Sequence, residues 1–246
     1  MVRPDYRIVT VIFGNSNPGF DRLIDVFLHS CACNAGRAEV HVIGTGRPCP
    51  RNDSENPSYA DNSEKLRIWE EELKKSDVPV AFLDADMLVL RPLMDAFGPC
   101  HVNLTLRPGA MWLNAGAVFC LPTPKAQDIM RVWRETNDSI RDNKEWLDRA
   151  IEHHNGLNQT AMVHLLEEEY YQHFEDGDIG YLSCDKYNCM DTTWRMFDLD
   201  RCSILHIKGR LREAVLGRAR AVESCVQPYL VWKRYEIAAR KHVRVP

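Results

Sequence analysis

Two aspartates stand two positions apart in an otherwise apolar run, Val80-Ala81-Phe82-Leu83-Asp84-Ala85-Asp86-Met87-Leu88-Val89-Leu90. Consecutive apolar residues between Pro79 and Pro92 read as a strand buried on both faces. Residues i and i+2 of a strand project to the same side, so the two carboxylates are expected to face one spot. Two such charges about 4 Å apart repel by roughly 4 kcal/mol at an effective dielectric near 20. A divalent cation offsets that repulsion, and oxygen ligands suit Mg²⁺ or Mn²⁺. A plainer reading ends the strand at Leu83 and leaves Asp84-Ala85-Asp86 as a solvated turn. The apolar Met87-Leu88-Val89-Leu90 that follows weighs against it.

A metal held by two carboxylates calls for a third ligand and, for a charged substrate, for cations. His206 ends a short apolar stretch close to Gly209, where a side chain can project into a cleft. The alternative is a histidine at the core edge satisfied by a backbone carbonyl, and position alone favours it. Lys208, Arg210 and Arg212 follow at once, with Gly209 allowing close backbone approach. Basic groups beside a metal suit a diphosphate; a solvated basic turn is the competing reading.

The elements that must position these residues alternate in type. Arg7–Phe13 is a β-branched strand closed by a polar Gly/Pro loop, Phe20–Cys31 has helical spacing, and Glu39–Ile43 is a second strand. Strand, helix, strand is the unit of a parallel α/β sheet. A long polar loop, 44–62, precedes a helix from Ser63 to about Lys75 with Asn62 as its cap. Strands are expected at His101–Leu106, Leu113–Leu121, near Gly180 and at Ser203–Ile207. Helices are expected from Thr123 to about His154, broken near Asn137-Asp138-Ser139, and over Leu157–Glu169.

The 246 residues fit one domain with at most an added subdomain. A net charge of -4 gives no support for nucleic-acid binding across the surface. No apolar run approaches the roughly 20 residues of a membrane span. Met1–Asp5 leads straight into a strand-like run, so the expectation is no signal peptide, a cytoplasmic location and reduced thiols for the nine cysteines. No doubled C-x-x-C marks a structural zinc. The basic C-terminal stretch is expected to pack through Tyr229, Leu230, Trp232, Tyr235 and Ile237, with peripheral contact to an anionic membrane as the alternative.

Several of these stretches also carry a resemblance. Glu64-Lys65-Leu66-Arg67-Ile68-Trp69, Phe82–Leu90, Asn114-Ala115-Gly116, Gly156-Leu157-Asn158-Gln159, Tyr187-Asn188 and His206-Ile207-Lys208-Gly209-Arg210-Leu211-Arg212 resemble, in order, motifs of glycogenin and its relatives. These are family 8 retaining glycosyltransferases of GT-A fold. The likeness spans roughly residues 7–212. It implies a Rossmann-like three-layer α/β/α architecture with a mostly parallel central sheet, a glycosyltransferase domain over 1–212 and a helical basic tail over 213–246. It also implies that Asp84, Asp86 and His206 ligate Mn²⁺ (or Mg²⁺) against the diphosphate of a UDP-sugar. Phe13, Gly14, Asn15, Lys65 and Ala85 would lie on the nucleotide side. Asn114 and Gly116 would line the sugar pocket, and Asn158 and Gln159 would sit at the reacting carbon. Lys208, Gly209 and Arg212 would hold the diphosphate.

The chain departs from the pattern at three places. Arg212 stands where the family has lysine, Glu213-Ala214 where it usually has Pro-Trp, and Asn158 where it has aspartate, so no carboxylate nucleophile is expected at 158. The implied reaction is front-face transfer of a hexose, glucose or galactose, with retention, to a glycan, protein or lipid acceptor. An inverting GT-A enzyme using Asp185 or Asp191 as base, and a sugar-nucleotide binder without turnover, are the alternatives. A haloacid-dehalogenase-type phosphohydrolase is disfavoured because its Asp-x-Asp normally lies near the N-terminus.

Overall fold

The structure, a computed structural model, describes residues 3–14, 18–44, 57–109, 112–153 and 156–241. Strand β1 (Tyr6–Ile12), helix α1 (Pro18–Asn34) and strand β2 (Ala38–Gly44) form the expected strand-helix-strand start, with β1 and β2 parallel in unbroken register from Tyr6↔Ala38 to Ile12↔Gly44. Helix α2 (Pro57–Lys75) leads into β3 (Val80–Leu83), which pairs parallel to β1 on its other side. A three-residue strand, β4 (Met87–Val89), follows directly, then the hairpin of β5 (Val102–Leu106) and β6 (Leu113–Cys120). Next come helices α3 (Pro124–Asp142), α4 (Lys144–His153), α5 (Leu157–Glu167) and the single turn α6 (Tyr170–His173). Strand β7 (Ile179–Ser183), the turn α7 (Cys184–Tyr187), strand β8 (Ile204–His206) and helices α8 (Gly209–Val215) and α9 (Val226–Lys241) complete the order.

The central sheet has six strands in the order β2-β1-β3-β6-β5-β7, and only β6 runs against its neighbours. Alternate side chains of β3 divide between two cores, as a period of two requires. Val80 and Phe82 join Leu66 and Trp69 of α2, Trp133 of α3 and Met162 of α5. Ala81 and Leu83 join Phe27 and Cys31 of α1 on the opposite face. The result is the three-layer α/β/α arrangement, with every β3 residue buried. At the heart of the first core Trp69 stacks on Phe82 (4.9 Å between ring centroids) and meets Trp133 edge-on at 6.1 Å.

Three expectations need correction. The run through the acids is not one strand: β3 stops at Leu83, Asp84-Ala85-Asp86 turns, and Met87 starts a separate strand in a second, two-stranded sheet with β8. Helix α2 starts at Pro57, so Asn62 lies inside it rather than capping it; Tyr59 packs on the core and Ala60 is buried, which extends the helix upstream. Proline is tolerated in that first turn because its missing N–H has no helical partner there. The break after α3 falls at Asn143, whose Oδ1 accepts the Trp146 N–H (3.1 Å) and so opens α4. Asn137, where a break was expected, is buried in α3 and donates to Ser63 Oγ (2.7 Å). Residues 45–56 of the long polar loop lie outside the described residues.

Helix α9 packs on α1 and α8 through Trp232 and Tyr235, while Leu230 and Ile237 are exposed. Its buried Glu236 pairs with Arg22 of α1 at 2.8 Å. No helix among the described residues is long and apolar enough to cross a membrane. The eight described cysteines are free.

Trp69 fills the contact between sheet and helices, so Trp69→Ala is expected to lower the unfolding free energy by about 3–5 kcal/mol. Urea unfolding followed by circular dichroism measures it; a loss below about 1 kcal/mol would show that α2 does not anchor this core.

Candidate active site

The turn at Asp84–Asp86 forms because two sheets compete for one segment. The Asp84 N–H still donates to Gly116 O (2.9 Å), the last rung between β3 and β6. Beyond it the chain leaves the large sheet and Met87↔His206, Leu88↔Leu205 and Val89↔Ile204 pair antiparallel. The Ile207 N–H donates to Asp86 O (2.8 Å), which locks the turn to the end of β8. The outer side of β4 has no strand; instead α1 supplies side chains, with Val89 N–H donating to Ser30 Oγ (3.0 Å) and Asn34 Nδ2 donating to Val89 O (2.9 Å).

This pairing brings residues 120 positions apart together. One ligand atom each from Asp84, Asp86 and His206 lie within 4.8 Å of one another. His206 Nε2 is 3.3 Å from Asp86 Oδ1 and 3.9 Å from Asp84 Oδ2. Asp86 is 4% and His206 1% exposed. The turn is therefore not the solvated one of the plainer reading.

The second ring of partners decides which imidazole nitrogen faces the acids. The backbone N–H of Gly116 donates to Asn114 Oδ1 (2.8 Å), which identifies that atom as the amide oxygen. Asn188 Nδ2 donates to the same oxygen and to Thr105 Oγ1, each at 2.8 Å, so Asn188 Oδ1 is left to accept. His206 Nδ1 sits 2.9 Å from it and must carry the proton. Nε2 is thus presented to the acids, where either a proton or a metal ion stands between it and Asp86. The donor set of two carboxylate oxygens and one imidazole nitrogen, with a hydrogen-bonded outer shell, fits a divalent ion such as Mn²⁺ or Mg²⁺. Gly116 is needed here for room: a Cβ would lie 2.8 Å from His206 Cε1 and 2.9 Å from Met87 Cε.

Fixed cations surround the acids. Lys65 Nζ lies 2.5 Å from Asp84 Oδ1 and 4.4 Å from the Trp69 ring centroid. Arg212 pairs with Asp86 Oδ2 and donates from Nε to Ile207 O (3.1 Å). Burial alone would raise the Asp86 carboxyl, but His206 and Arg212 outweigh it and hold it well below the usual carboxylate range. Burial pushes the Lys208 ammonium down, and the nearby Asp84 and Asp86 only partly oppose that shift.

A cavity of about 140 Å³ opens beside the cluster. It is lined by Asn62, Lys65, Asp84, Asn114, Ala115, Gly116, Gly156, Asn158, Gln159 and Lys208. A shift in the β5–β6 register, Leu104↔Val118 to Thr105↔Asn114, leaves Ala115, Gly116 and Ala117 without β5 partners, and the first two of these line the cavity. Gln159 Oε1 accepts the Ala115 N–H (3.1 Å), and Trp133 Nε1 donates to Asn158 O (2.6 Å), so the start of α5 is tied to both sheet and core.

Most of the residues expected from sequence meet here. Asp84, Asp86 and His206 form the cluster; Lys65, Asn114, Gly116, Asn158, Gln159 and Lys208 line the cavity. Ala85 is buried in the turn, and Gly209 begins α8 at φ +50. Phe13 and Gly14 follow β1 but do not line this cavity, and Asn15 lies outside the described residues. Asn188 carries no role in the sequence reading beyond its place in the Tyr187-Asn188 motif, and Asn62 is read there as a helix cap rather than as a cavity residue.

Comparison with solved structures places this architecture. A glycosyltransferase involved in glycosylation of the major capsid of PBCV-1 superposes with a TM-score of 0.62 at 13% identity, over 87% of this chain and 98% of that one. The galactosyltransferase LgtC, solved with donor and acceptor sugar analogs, gives 0.55 at 14% over 98% and 97%. Glycosyltransferase GlyE of Streptococcus pneumoniae TIGR4 gives 0.51 at 14% over 99% of this chain and 65% of its own. The chain has the GT-A glycosyltransferase fold. No protein-family model and no curated protein matches its sequence.

Asn188 reaches the acidic cluster through His206, so Asn188→Ala is expected to weaken Mn²⁺ binding about 10- to 100-fold with the fold retained. Isothermal calorimetry on the folded variant measures this; affinity within twofold of the parent would refute the orienting role.

Proposed function

We propose that this protein is a metal-dependent glycosyltransferase that moves a hexose, glucose or galactose, from a UDP-sugar to an acceptor with retention of configuration. The carrying observation is the convergence of Asp84, Asp86 and His206 beside a polar cavity on a GT-A fold. When bound there, Mn²⁺ (or Mg²⁺) supplies Lewis acidity to the departing diphosphate, worth several kcal/mol.

The chain's own residues account for the rest. Lys208, which lines the cavity, offers fixed positive charge to the leaving group. Asn114 Nδ2 is buried without a hydrogen-bond partner in a residue that lines the cavity, a donor suited to a sugar hydroxyl. Gln159, held by Ala115, presents a neutral amide that can orient an oxocarbenium-like centre without trapping it. Asp84 is the sole carboxylate among the described lining residues, and it belongs to the metal cluster. Asp185 and Asp191, the bases an inverting route would use, do not line the cavity. That distribution favours transfer on one face of the sugar, in which neither a protein nucleophile nor a protein base is required. The acceptor is a glycan, protein or lipid headgroup.

The test is incubation with a panel of UDP-sugars and Mn²⁺, with and without chelator, followed by NMR of the product's anomeric centre. Transfer that vanishes with chelator and gives an α-linked product from an α-linked donor is expected; a β-linked product would overturn retention. Asp86→Ala is expected to reduce turnover about 10³-fold, since losing about 4 kcal/mol of transition-state stabilisation is three decades at 1.36 kcal/mol each. Turnover within tenfold of the parent would remove the metal cluster from the reaction.

A further inference from the structure

The basic edge after β8 holds two cations that the resemblance would give one task, yet they are placed differently. The Nε–Nη2 edge of the Arg212 guanidinium is already engaged. Its Nε donates to Ile207 O at 3.1 Å and its Nη2 bonds Asp86 Oδ2. The other Asp86 oxygen, Oδ1, is the one that faces His206 Nε2 at 3.3 Å. The planar fork therefore fixes the carboxylate in rotation, one oxygen turned outward to arginine and one inward to the cluster. The ammonium of Lys208 is the opposite case. Among the described residues it has no hydrogen bond or ion pair, and it lines the cavity. Lys208 is half-buried at the cap position of α8, and Gly209, the helix's first residue, has φ +50 with Asp191 Oδ2 3.2 Å from where a Cβ would sit.

We infer that the two cations divide the work: Arg212 is a positioning residue for the metal-binding carboxylate of Asp86, and Lys208 is the side chain that receives the donor's diphosphate. The division rests on the glycosyltransferase reading for the identity of the anion but not for the role of Arg212. Two of the five Arg212 donors, the Nε–Nη2 fork, are committed to a carbonyl and a buried carboxylate that also offsets its charge, so turning that fork to a phosphate would break both bonds. An ammonium with no hydrogen bond or ion pair among the described residues, beside a cavity rich in amides, has three donors to give. The inference also accounts for arginine at a position where lysine would serve a phosphate. One lysine nitrogen cannot reproduce two parallel N–H groups aimed at a carbonyl and a carboxylate.

The experiment measures binding rather than turnover. Mn²⁺ affinity is read without nucleotide from free-ion EPR, and UDP and UMP affinities are read by calorimetry at saturating Mn²⁺. Arg212→Lys keeps the charge and removes the fork, so it is expected to weaken Mn²⁺ binding about 10-fold and leave the UDP-to-UMP affinity ratio within twofold. Lys208→Met is expected to leave Mn²⁺ affinity within twofold and to lower UDP affinity about 10-fold more than UMP affinity. Arg212→Gln, which retains a donor without the charge, serves if the lysine variant does not fold. The reverse pattern, or unchanged Mn²⁺ affinity in both folded Arg212 variants, overturns the division. If the parent binds Mn²⁺ but no nucleoside diphosphate, the glycosyltransferase reading and the Lys208 role fall together. The Arg212 measurement still decides its own half.

Discussion

Everything at the candidate site depends on the antiparallel pairing of β4 with β8. Three rungs, Met87↔His206 through Val89↔Ile204, join a segment that has just left the large sheet to one far along the chain. Without them the two aspartates would be neighbours with no third ligand, and their mutual repulsion would have only Lys65 to offset it. With them, the imidazole arrives in a fixed tautomer and the turn at Asp84–Asp86 is held on both sides. A short strand pair is weak alone. This one is stabilised because α1 satisfies its open side with Ser30 and Asn34, and because every β4 and β8 residue is buried.

The polar shell shows how a buried charged cluster is tolerated. Each acid has a cation on one oxygen, Lys65 on Asp84 and Arg212 on Asp86, and each of those cations has a second support: the Trp69 ring for lysine, the Ile207 carbonyl for arginine. Paired and hydrogen-bonded charges avoid much of the desolvation cost that isolated ones carry. The inward oxygens are left for a metal. The amide relay from Gly116 through Asn114 and Asn188 to His206 does the same for the imidazole, using backbone geometry as its fixed end.

Much of this was legible in the linear order. The alternation of β-branched runs with helical spacing predicted β1, α1 and β2 and their parallel pairing, because those contacts are local or follow from one crossover. The carboxylate pair was visible through its apolar flanks. Its geometry was misread: an i, i+2 relation on one strand and a turn between two sheets both bring the side chains together, and only pairing with β8, a long-range contact, distinguishes them. Asn62 was misassigned for a related reason. A capping residue type is a local signal, and the packing of Tyr59 and Ala60 overrode it. The role of Asn188 depends on three partners distant in sequence, so no spacing rule could reveal it.

One bond described earlier has a wider consequence. The amide of Asn34 that donates to Val89 O also donates to Tyr235 Oη at 2.6 Å. A single side chain thus clamps the strand behind the acidic turn to the C-terminal helix, while Arg22, earlier on α1, pairs with Glu236 next to Tyr235. The last helix is in this sense part of the scaffold under the ion site. Deleting it would remove Trp232 and Tyr235 from the core they share with α1 and strip Asn34 of a partner, so shortened versions of the chain would be impaired at the candidate ion site before any membrane or acceptor role of that helix came into question.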